Sequence, residues 1–462
     1  MDANDLAYAG AARQAQLIAS GEVSAREVVA ATLDRIERVD PQLNAYRVVL
    51  AERALAEADQ ADARRRAGDA RPLLGVPVAI KDDTDVAGVP TTRGSAASDP
   101  APRGLDAAVV GRLRSAGAVV VGKTSVPELM IWPFCETAAF GATRNPWALD
   151  RTPGGSSGGS GAAVAAGLCG VALGTDGAGS IRIPAAFCGV FGIKPQRGRV
   201  PLDPGASDGW HGLNHAGPIA RGVADAALFL DAIADGAPQG GFAAAAARVP
   251  GRLRIAVATK IPPGVAGRLG RDQRAAVTAT ADLLRSLGHD VFDREIDYGL
   301  AGGAQVIARY LRGVHDEAAA VPHPERLEPR TRGMARNGGL VPAAAVARAR
   351  RAEPALVARI GAVLATADAV LLPGPAGPPF RIGELDGRGP TRTLNAAIAR
   401  VPYYGAFNAT GQPACSVPAG FDGAGLPLAV QLAGRPHDEA TLLSLAAQIE
   451  AARPWAERRP AL

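Results

Sequence analysis

The segment that most constrains this chain is GGSSGGSGAAVAAGLCGVALGTDGAGS, which occupies the 27 positions 154–180. It has a Gly/Ser-rich loop at each end, and between the loops an apolar segment of helix length precedes a strand-like run over residues 170–173. Flexible linkers do not normally continue into an Ala/Val helix and an apolar strand. The pattern therefore predicts two loops that the fold brings together, with Ser156 and Ser180 in backbone-rich surroundings suited to binding an oxyanion.

The small number of lysines relative to arginines suggests a base for these serines. Only four of the 50 Lys and Arg residues are lysines, namely Lys81, Lys123, Lys194 and Lys260. Arginine cannot lose its proton in a protein, whereas a desolvated lysine can. Lys81 closes the apolar run 76–80, which predicts a buried strand that carries the amine into the interior. Two interpretations of Lys81 stay open at this point: a lysine that snorkels at a strand end, and a base.

A series of motifs is spread over most of the chain. They are GVPVAIKD around Lys81, GKTSVPEL from Gly122, FGATRNPW from Phe140, TPGGSSGGSGAAVAAGL from Thr152, GTDGAGSIRIPAAFCGVFGIKP from Gly174, and the C-terminal FNATGQPACSVPAG and GLPLAVQLAGRP. In number, order and spacing they are far more specific than one short motif. Together they resemble the amidase signature hydrolases, a family that includes bacterial amidases, fatty acid amide hydrolase and the A subunit of glutamyl-tRNA amidotransferase.

The resemblance implies a Ser–Ser–Lys triad in which Ser180 is the nucleophile, Ser156 the relay and Lys81 the base. A serine hydroxyl becomes a good nucleophile only when a neighbouring group takes its proton. The ordinary pKa of a lysine amine is about 10.4, and burial lowers it toward the neutral range that a base requires. Ser156 would accept the proton of Ser180 while giving its own to Lys81, and the reverse path would protonate the leaving amine.

The resemblance also implies an oxyanion hole made of backbone N–H groups in the second loop. Its four residues would be Gly177, Ala178, Gly179 and Ser180. Such donors need close backbone approach, which favours small residues. One position departs from the family pattern, since Ala178 stands where the family usually has the first of two glycines before the second serine. Alanine is small enough that we expect activity to persist, with a narrower pocket or a more restricted loop.

Four further residues are expected to support the site structurally. The resemblance implies a cis peptide bond between Gly155 and Ser156, and Gly155 is the least hindered partner for such a bond. Asp176 and Arg182 flank the second loop with opposite charges, and a charged pair beside a turn is more often scaffold than catalyst. Two interpretations of Ser157 stay open, a cap of the following helix and a hydrogen bond to Lys81.

A substrate pocket is predicted in the hydrophobic segment just before the first loop. Its candidate residues are Met130, Ile131, Trp132, Phe134 and Cys135. These side chains favour a small apolar or aryl amide. The triad chemistry extends to esters and to carbamates (urethanes), because all three pass through a tetrahedral oxyanion. The Arg-rich segment 298–392 carries little recognisable motif, and it has two compatible interpretations, a solvated helical cover and a substrate-selecting lid.

Two other functions compete with a free-standing amidase. The first is an amidotransferase subunit, similar to the glutamyl-tRNA enzyme, that supplies ammonia to a partner chain and needs a glutamine-specific pocket. The second is a non-catalytic binding protein on the same fold. Retention of Lys81, Ser156 and Ser180 argues against the second, because a dead scaffold would not need all three.

The alternation of strand-like and helix-like runs predicts an α/β fold, a single large α/β/α layered domain with a central mixed β-sheet covered by helices. We expect it to span residues 1–462, with N-terminal helices in 1–70, the catalytic core in 71–225, a helical cover at about 298–392 and a return to the core in 400–462. A capping box from Ser24 to Glu27 predicts a helix that Asp40-Pro41 ends, and a second, charged helix is predicted over roughly 48–66.

Composition excludes several function classes. The net charge of +5 is small for 462 residues, and no basic tract is followed by aromatics, so no nucleic-acid partner is expected. The N-terminus lacks the pattern of a signal peptide, and no apolar run reaches about 20 residues, which predicts a cytoplasmic protein without membrane contact. The six histidines and four cysteines lack metal-ligand spacing, so neither a metal nor a cofactor is expected. The expected partners are the small-molecule substrate and, at most, a second copy in a homodimer.

Overall fold

A computed structural model describes residues 2–201 and 209–462 of the chain, and a central β-sheet organises it. The strands, in chain order, are β1 Tyr46–Val49, β2 Pro77–Lys81, β3 Val119–Thr124, β4 Glu136–Thr137, β5 Gly141–Ala142, β6 Val171–Thr175, β7 Phe191–Lys194, β8 Ala216–Ala220, β9 Arg254–Val257, β10 Asp290–Asp293, β11 Ala369–Pro373, β12 Ala414–Phe421 and β13 Pro427–Gly434. Within the described residues, eleven of them form one sheet in the order β1-β3-β2-β6-β8-β7-β12-β13-β11-β9-β10, while β4 and β5 pair separately.

The sheet is mixed, as the sequence predicts. Strand β2 lies parallel to both β3 and β6, with Val78 opposite Val120 on one side and Val171 on the other. At the far end, β9 lies parallel to β10 and β11. The strands between these two parallel groups, from β6 through β8, β7, β12 and β13 to β11, pair antiparallel. The α/β class is therefore confirmed.

Helices flank this sheet and also build the wall of a cavity described below. In chain order they are α1 Ala3–Tyr8, α2 Ala11–Ser20, α3 Ala25–Leu43, α4 Ala51–Arg66, α5 Ala108–Ser115, α6 Gly158–Ala165, α7 Arg182–Cys188, α8 Gly209–Gly212, α9 Val223–Ile233, α10 Gly241–Ala247, α11 Arg271–Ser286, α12 Gly299–Ala320, α13 Pro329–Gly339, α14 Ala343–Arg351, α15 Glu353–Gly361, α16 Pro390–Arg400, α17 Gly405–Thr410 and α18 Glu439–Ala452, with 3₁₀ turns at Glu128–Met130, Pro324–Arg326 and Ala362–Ala365. None of the helices in the described ranges is long and apolar enough to cross a membrane.

Burial follows from this layering. All residues of β2, β3 and β6 are buried, as expected for parallel strands covered on both faces. Strand β2 ends at Lys81, whose side chain is 0% exposed, so the predicted strand does carry the amine into the interior. A second apolar cluster joins side chains of α12 and α15, such as Tyr310 and Leu356, to Trp132.

Helix α3 begins where the sequence predicts but ends later. Ser24 accepts the N–H of Glu27, and the Glu27 carboxylate accepts the N–H of Ser24, which confirms the capping box. The helix continues through Pro41, however, and stops at Asn44, which is left-handed (φ 54°) and donates its N–H to the Asp40 carbonyl. A proline in the last turn removes only one intrahelical hydrogen bond, so the prediction that Asp40-Pro41 ends the helix was wrong.

The charged helix predicted over roughly 48–66 also begins later than expected. It starts at Ala51, because Val48 and Val49 belong to β1 and pair with β3. Only the partner strand decides this boundary, since the local residues are compatible with either structure.

Asp62 on α4 caps a helix that is distant in sequence. Its carboxylate accepts the N–H groups of Ala25 and Arg26 at 2.8 and 3.1 Å, at the start of α3. We expect Asp62→Ala to lower the free energy of unfolding by about 1–3 kcal/mol, because one buried and one partly buried N–H group lose their acceptor. Asp59→Ala is the matched control, since Asp59 lies one turn away and pairs with Arg26 at the exposed surface. It should cost at most about 1 kcal/mol. Equal losses in urea denaturation would contradict the capping role.

Candidate active site

The Lys81 amine lies in a shell of oxygen atoms. Its Nζ is 2.8 Å from the Ser156 Oγ, 2.6 Å from the Thr175 Oγ1 and 3.2 Å from the Thr175 carbonyl oxygen. The Asp83 carboxylate approaches the same amine at 3.3 Å. These contacts do not fit a lysine that snorkels to the surface, and they bring Lys81 together with Ser156 from a loop 75 residues further along the chain.

Burial and charge act on Lys81 in opposite directions. Burial lowers the pKa of the Lys81 amine below its ordinary value, and the Asp83 carboxylate partly opposes this by favouring the ammonium form. Burial alone would raise the pKa of Asp83, but the Lys81 charge and the hydrogen bond from Thr175 lower it below its ordinary value. The site therefore holds an ionised carboxylate beside an amine that gives up its proton more readily than an exposed lysine.

Ser156 lies in the first Gly/Ser loop, just before α6. The peptide bond between Gly155 and Ser156 is cis, as the family resemblance implies. A Cβ on Gly155 would lie 2.5 Å from the Trp132 carbonyl oxygen and 2.8 Å from the Phe134 nitrogen. Only glycine therefore lets the segment before the loop pack against it this closely.

Ser180 lies in the turn between β6 and α7 and lines the same cavity as Ser156. The two loops are joined directly, since the Ser157 N–H donates to the Ser180 carbonyl oxygen at 3.2 Å. Among the residues that the structure describes, the Ser180 hydroxyl has no hydrogen-bond partner, and the residue is half-buried. The predicted meeting of the two serine loops is therefore observed, with Ser180 facing open space.

The turn before Ser180 presents fewer free backbone donors than the four expected. Gly177 and Ala178 line the cavity, whereas the Gly179 N–H donates to the Asp176 carboxylate at 2.6 Å. Gly179 has a φ of +118°, and a Cβ there would lie 2.7 Å from the Tyr404 Cβ. Gly179 is thus required for the shape of the turn, and its N–H is already occupied, which corrects the expectation that it faces an oxyanion.

Asp176 and Arg182 form a fully buried ion pair beneath this turn. The Arg182 Nε and Nη2 donate to the two Asp176 carboxylate oxygens at 2.9 and 3.1 Å, and both side chains are 0% exposed. Asn408 donates to Asp176 at 2.8 Å and accepts from Arg182 at 2.6 Å, while Gln431 accepts from Arg182 at 2.7 Å. Burial raises the pKa of Asp176, but the Arg182 charge outweighs it and keeps the carboxylate ionised. The two residues that flank the loop in the sequence thus form a direct ion pair, and their predicted supporting role stays a prediction.

Ser157 fits neither of its two interpretations. Its hydroxyl donates to the Thr175 carbonyl oxygen at 3.1 Å and accepts the Thr175 N–H at 3.3 Å. It makes no side-chain cap on α6, and the hydrogen bonds of Lys81 go to Ser156 and Thr175 instead. Ser157 thus ties the first loop to the end of β6 and positions Thr175.

A cavity of about 840 Å³ opens over the two serines. Its wall is mostly apolar, and Asp83 is the one residue with a formal charge among the described residues that line it. The other polar residues at the wall are Ser156, Thr175, Ser180, Asn214 and Asn395, together with the aromatic Trp132, Trp210, Tyr298 and Tyr310. Such a cavity suits an uncharged, largely apolar molecule.

Only part of the predicted substrate segment faces this cavity. Met130, Ile131 and Trp132 line it, but Phe134 and Cys135 do not. Phe134 stacks on the Trp132 ring from behind, with centroids 5.7 Å apart. The Cys135 Sγ lies 3.7 Å from the Ser156 carbonyl oxygen, and burial raises the pKa of its thiol to about 12. The expectation was therefore wrong for these two residues, because the chain leaves the cavity wall after Pro133 and packs them in the interior.

Much of the cavity wall was not predicted residue by residue. Helix α12 contributes Val306, Ile307 and Tyr310, and α15 contributes Leu356 and Ile360, all within the divergent segment 298–392. Further lining comes from residues 262–266 and 394–406. The Tyr310 hydroxyl donates to the Ile131 carbonyl oxygen, which joins α12 to the predicted substrate segment. No local pattern marks these positions as cavity residues. The lack of recognised motifs in 298–392 was the one sequence signal that this segment contributes to the cavity.

Comparison with known proteins identifies the family to which this fold belongs. The family described as Amidase matches residues 27–443. This is most of the chain, so the protein belongs to the Amidase family, the amidase signature enzymes, and is an amide-hydrolysing enzyme.

Three related proteins illustrate the similarity. A Mycobacterium tuberculosis protein named "Putative amidase AmiB2" is 56% identical over 464 residues and 100% of both chains. The 6-aminohexanoate-cyclic-dimer hydrolase of Paenarthrobacter ureafaciens is 35% identical over 98% of this chain and 96% of its own. Among solved structures, a bacterial aryl acylamidase of the amidase signature family has a TM-score of 0.86 and 26% identity, with 97% of each chain covered.

The Asp176–Arg182 pair gives a prediction about stability. We expect Arg182→Ala to lower the free energy of unfolding by about 3–5 kcal/mol, because it leaves the buried Asp176 charge without its partner. Arg312→Ala is the control, since Arg312 pairs with Asp316 at a partly exposed surface of α12 and should cost less than about 1 kcal/mol. Urea denaturation of both variants measures the difference. A loss below about 1 kcal/mol for Arg182→Ala would contradict the scaffold role.

Proposed function

We propose that this enzyme cleaves amide C–N bonds through an acyl-enzyme, with Ser180 as nucleophile, Ser156 as proton relay and Lys81 as base. The single observation that carries this proposal is the 2.8 Å contact between the Lys81 Nζ and the Ser156 Oγ, fully buried, beside a cavity that Ser180 also lines. A buried amine with a lowered pKa can accept a proton, which an exposed lysine does poorly at neutral pH. The cavity gives an amide carbonyl access to the Ser180 hydroxyl.

The oxyanion of the tetrahedral intermediate would bind to backbone N–H groups of Gly177, Ala178 and Ser180. Gly179 is left out of this set, because its N–H donates to Asp176. Fixed backbone donors stabilise a developing negative charge without reorganising during the reaction. The Asp176–Arg182 pair would act indirectly, by holding the turn that carries these donors.

For the substrate, we infer a neutral amide with an apolar or aromatic body. The cavity wall offers one charged side chain, Asp83, and that carboxylate is engaged by Lys81 and Thr175. The similarity to a cyclic-dimer hydrolase and to an aryl acylamidase supports uncharged amide substrates. The same chemistry extends to esters and carbamates, because they pass through the same kind of oxyanion.

The amidotransferase alternative receives less support from the cavity. Glutamine carries both an ammonium and a carboxylate, and a glutamine pocket would need partners for both charges. Among the described residues that line the cavity, no cationic side chain is present to pair with a carboxylate.

Ser180→Ala tests the nucleophile. We expect this variant to lose acyl-enzyme formation and labelling by a fluorophosphonate, because no hydroxyl remains to attack, while the fold stays intact. Mass spectrometry of the labelled protein measures the adduct, and thermal unfolding checks the fold. Ser20→Ala removes a hydroxyl at the exposed end of α2 and is a control that should still be labelled at Ser180. If the Ser180→Ala protein were labelled at the wild-type rate, the assignment would be wrong.

Lys81→Arg tests the base. Arginine keeps the positive charge but cannot accept a proton, so this variant should lose activity nearly as completely as Lys81→Ala. In the wild type, the active form of Lys81 is the neutral amine. Activity should therefore fall as the pH drops below the lowered pKa of Lys81 and rise to a plateau above it. A Lys81→Arg variant that keeps most of the wild-type rate would identify Lys81 as a structural cation.

Trp132 and Phe134 form a matched pair for substrate selection. Trp132 lines the cavity, so Trp132→Ala should change the ratio of kcat/KM values among aliphatic amides, anilides and carbamates by about tenfold or more. Phe134 stacks behind it, and Phe134→Ala should lower stability while leaving those ratios within about twofold. A panel of these substrates measures both variants. If Trp132→Ala slowed every substrate by the same factor, Trp132 would be core packing and not a selectivity residue.

A further inference from the structure

The surroundings of Lys81 determine where its lone pair points. A neutral amine has two protons to donate and one lone pair, and four oxygen atoms lie around the Lys81 Nζ. Two of them belong to Thr175, the hydroxyl at 2.6 Å and the carbonyl at 3.2 Å. The other two belong to Ser156 at 2.8 Å and Asp83 at 3.3 Å. The lone pair can accept a hydrogen bond only from a neighbour that donates a proton.

The Thr175 hydroxyl cannot be that donor, because its proton goes to Asp83. The Thr175 Oγ1 lies 2.5 Å from the Asp83 Oδ2, and an ionised carboxylate can only accept. The Thr84 hydroxyl donates to the other Asp83 oxygen at 3.0 Å, which fixes the orientation of the carboxylate. The Thr175 carbonyl also accepts only. Both amine protons therefore have acceptors on Thr175, and the Ser156 hydroxyl is left as the one donor for the lone pair.

We propose that Asp83 is a positioning residue for the catalytic base, which acts through Thr175 to direct the Lys81 lone pair at Ser156 and stabilises the ammonium that then forms. This proposal rests on the proposed Ser180–Ser156–Lys81 mechanism and adds a fourth residue to it. Asp83 is suited to the role because its side chain is 7% exposed, at the cavity wall, where water competes weakly for its hydrogen bonds.

The proton transfer balances in charge. As the Ser180 Oγ bonds to the amide carbonyl carbon, the carbonyl electron pair moves to its oxygen. The Ser180 proton passes to the Ser156 Oγ, and the Ser156 proton passes to the Lys81 Nζ. The Lys81–Asp83 pair thereby changes from a net charge of −1 to zero while the oxyanion gains −1. Without the Asp83 charge, the same step would create a buried, unpaired ammonium, which is unfavourable.

Loss of the Asp83 charge should also shift the pH dependence of the reaction rate to lower pH. The other ionisable groups whose charges act on Lys81 are Asp176 and the Cys135 thiol, and Lys123 lies within electrostatic reach of Asp83. Of these, the Asp83 carboxylate has the strongest effect in favour of the Lys81 ammonium, against the effect of burial. Removal of the Asp83 charge therefore lowers the pKa of the Lys81 amine further. The amine is then neutral at lower pH, but it accepts the Ser156 proton less readily.

Asp83→Asn is the central variant, because asparagine keeps an acceptor for Thr175 but carries no charge. The measurement is the rate of Ser180 labelling by a fluorophosphonate as a function of pH, repeated with one neutral and one positively charged anilide substrate. We expect the midpoint to shift to lower pH and the plateau rate to fall by about ten- to a hundredfold. Asp85→Asn removes the same charge two residues away, where the carboxylate is partly exposed beside Arg103, and should keep the wild-type profile.

Thr175 provides a second, independent variant in case Asp83→Asn does not fold. Thr175→Val removes the hydroxyl that links Asp83 to Lys81 and should lower the plateau rate by at least about tenfold, whereas Thr175→Ser keeps the hydroxyl and should retain most of the rate. Thermal unfolding verifies that each variant is folded before its profile is measured. Equal rates for the valine and serine variants would overturn the proposal.

Two results with Asp83→Asn would also overturn it. One is a profile that matches the wild type in midpoint and plateau. The other is a lower rate only for substrates that carry a positive charge, with an unchanged midpoint of the pH profile. That result would identify Asp83 as a substrate-binding residue. Labelling of the Ser180→Ala variant distinguishes failure of the Asp83 proposal from failure of the proposed Ser180–Ser156–Lys81 mechanism. If that variant is still labelled, the nucleophile is misassigned whatever the Asp83 profile, whereas a dead Ser180→Ala with an unshifted Asp83→Asn profile rejects the Asp83 role alone.

Discussion

The buried ion pair between Asp176 and Arg182 is the interaction on which the site depends most. It ties the end of β6 to the start of α7, and through Asn408 and Gln431 it connects this turn to the C-terminal part of the sheet. Two opposite charges without solvent contact are tolerated only when nearly all their hydrogen bonds are made. This requirement leaves the turn little freedom, and Ser180 is carried on it. The rigidity of the proposed oxyanion site thus originates one layer below the residues that would touch substrate.

The distribution of lysines reflects a related constraint. Lys81, Lys123 and Lys194 are fully buried, whereas Lys260 is exposed. Lys123 pairs with Asp82 at 2.8 Å, and Lys194 donates to the Pro195 carbonyl oxygen. In all three buried lysines, burial lowers the pKa of the amine. A guanidinium keeps its charge in any environment, as the buried Arg182 does beside Asp176, so only a lysine can supply a neutral amine at an interior position.

The cavity is lined both by segments that carry recognisable sequence motifs and by segments that carry none. The floor consists of the two serine loops, whose motifs are recognisable, and the wall consists largely of α12, α15 and the stretch 394–406. The Tyr310 hydroxyl connects the wall to the segment that precedes the first serine loop by its bond to the Ile131 carbonyl oxygen. The proposed reaction chemistry lies in the recognisable motifs, whereas most of the cavity wall lies outside them, so the wall can vary in sequence without a change in the groups around Lys81.

The sequence by itself determined the α/β class, the family, the burial of the strand that ends at Lys81, and the approach of the two serine loops. These follow from local periodicity, from glycine and serine at fixed positions, and from motifs whose order is specific. Tertiary structure alone decided that Phe134 and Cys135 turn away from the cavity, that α3 continues past Pro41, and that the Gly179 N–H is occupied by Asp176. It also decided that Asp83, Thr175 and Asn408 surround the site. The physical reason is that hydrogen-bond partners and cavity walls come from residues far apart in the chain, so no local pattern encodes which donor meets which acceptor.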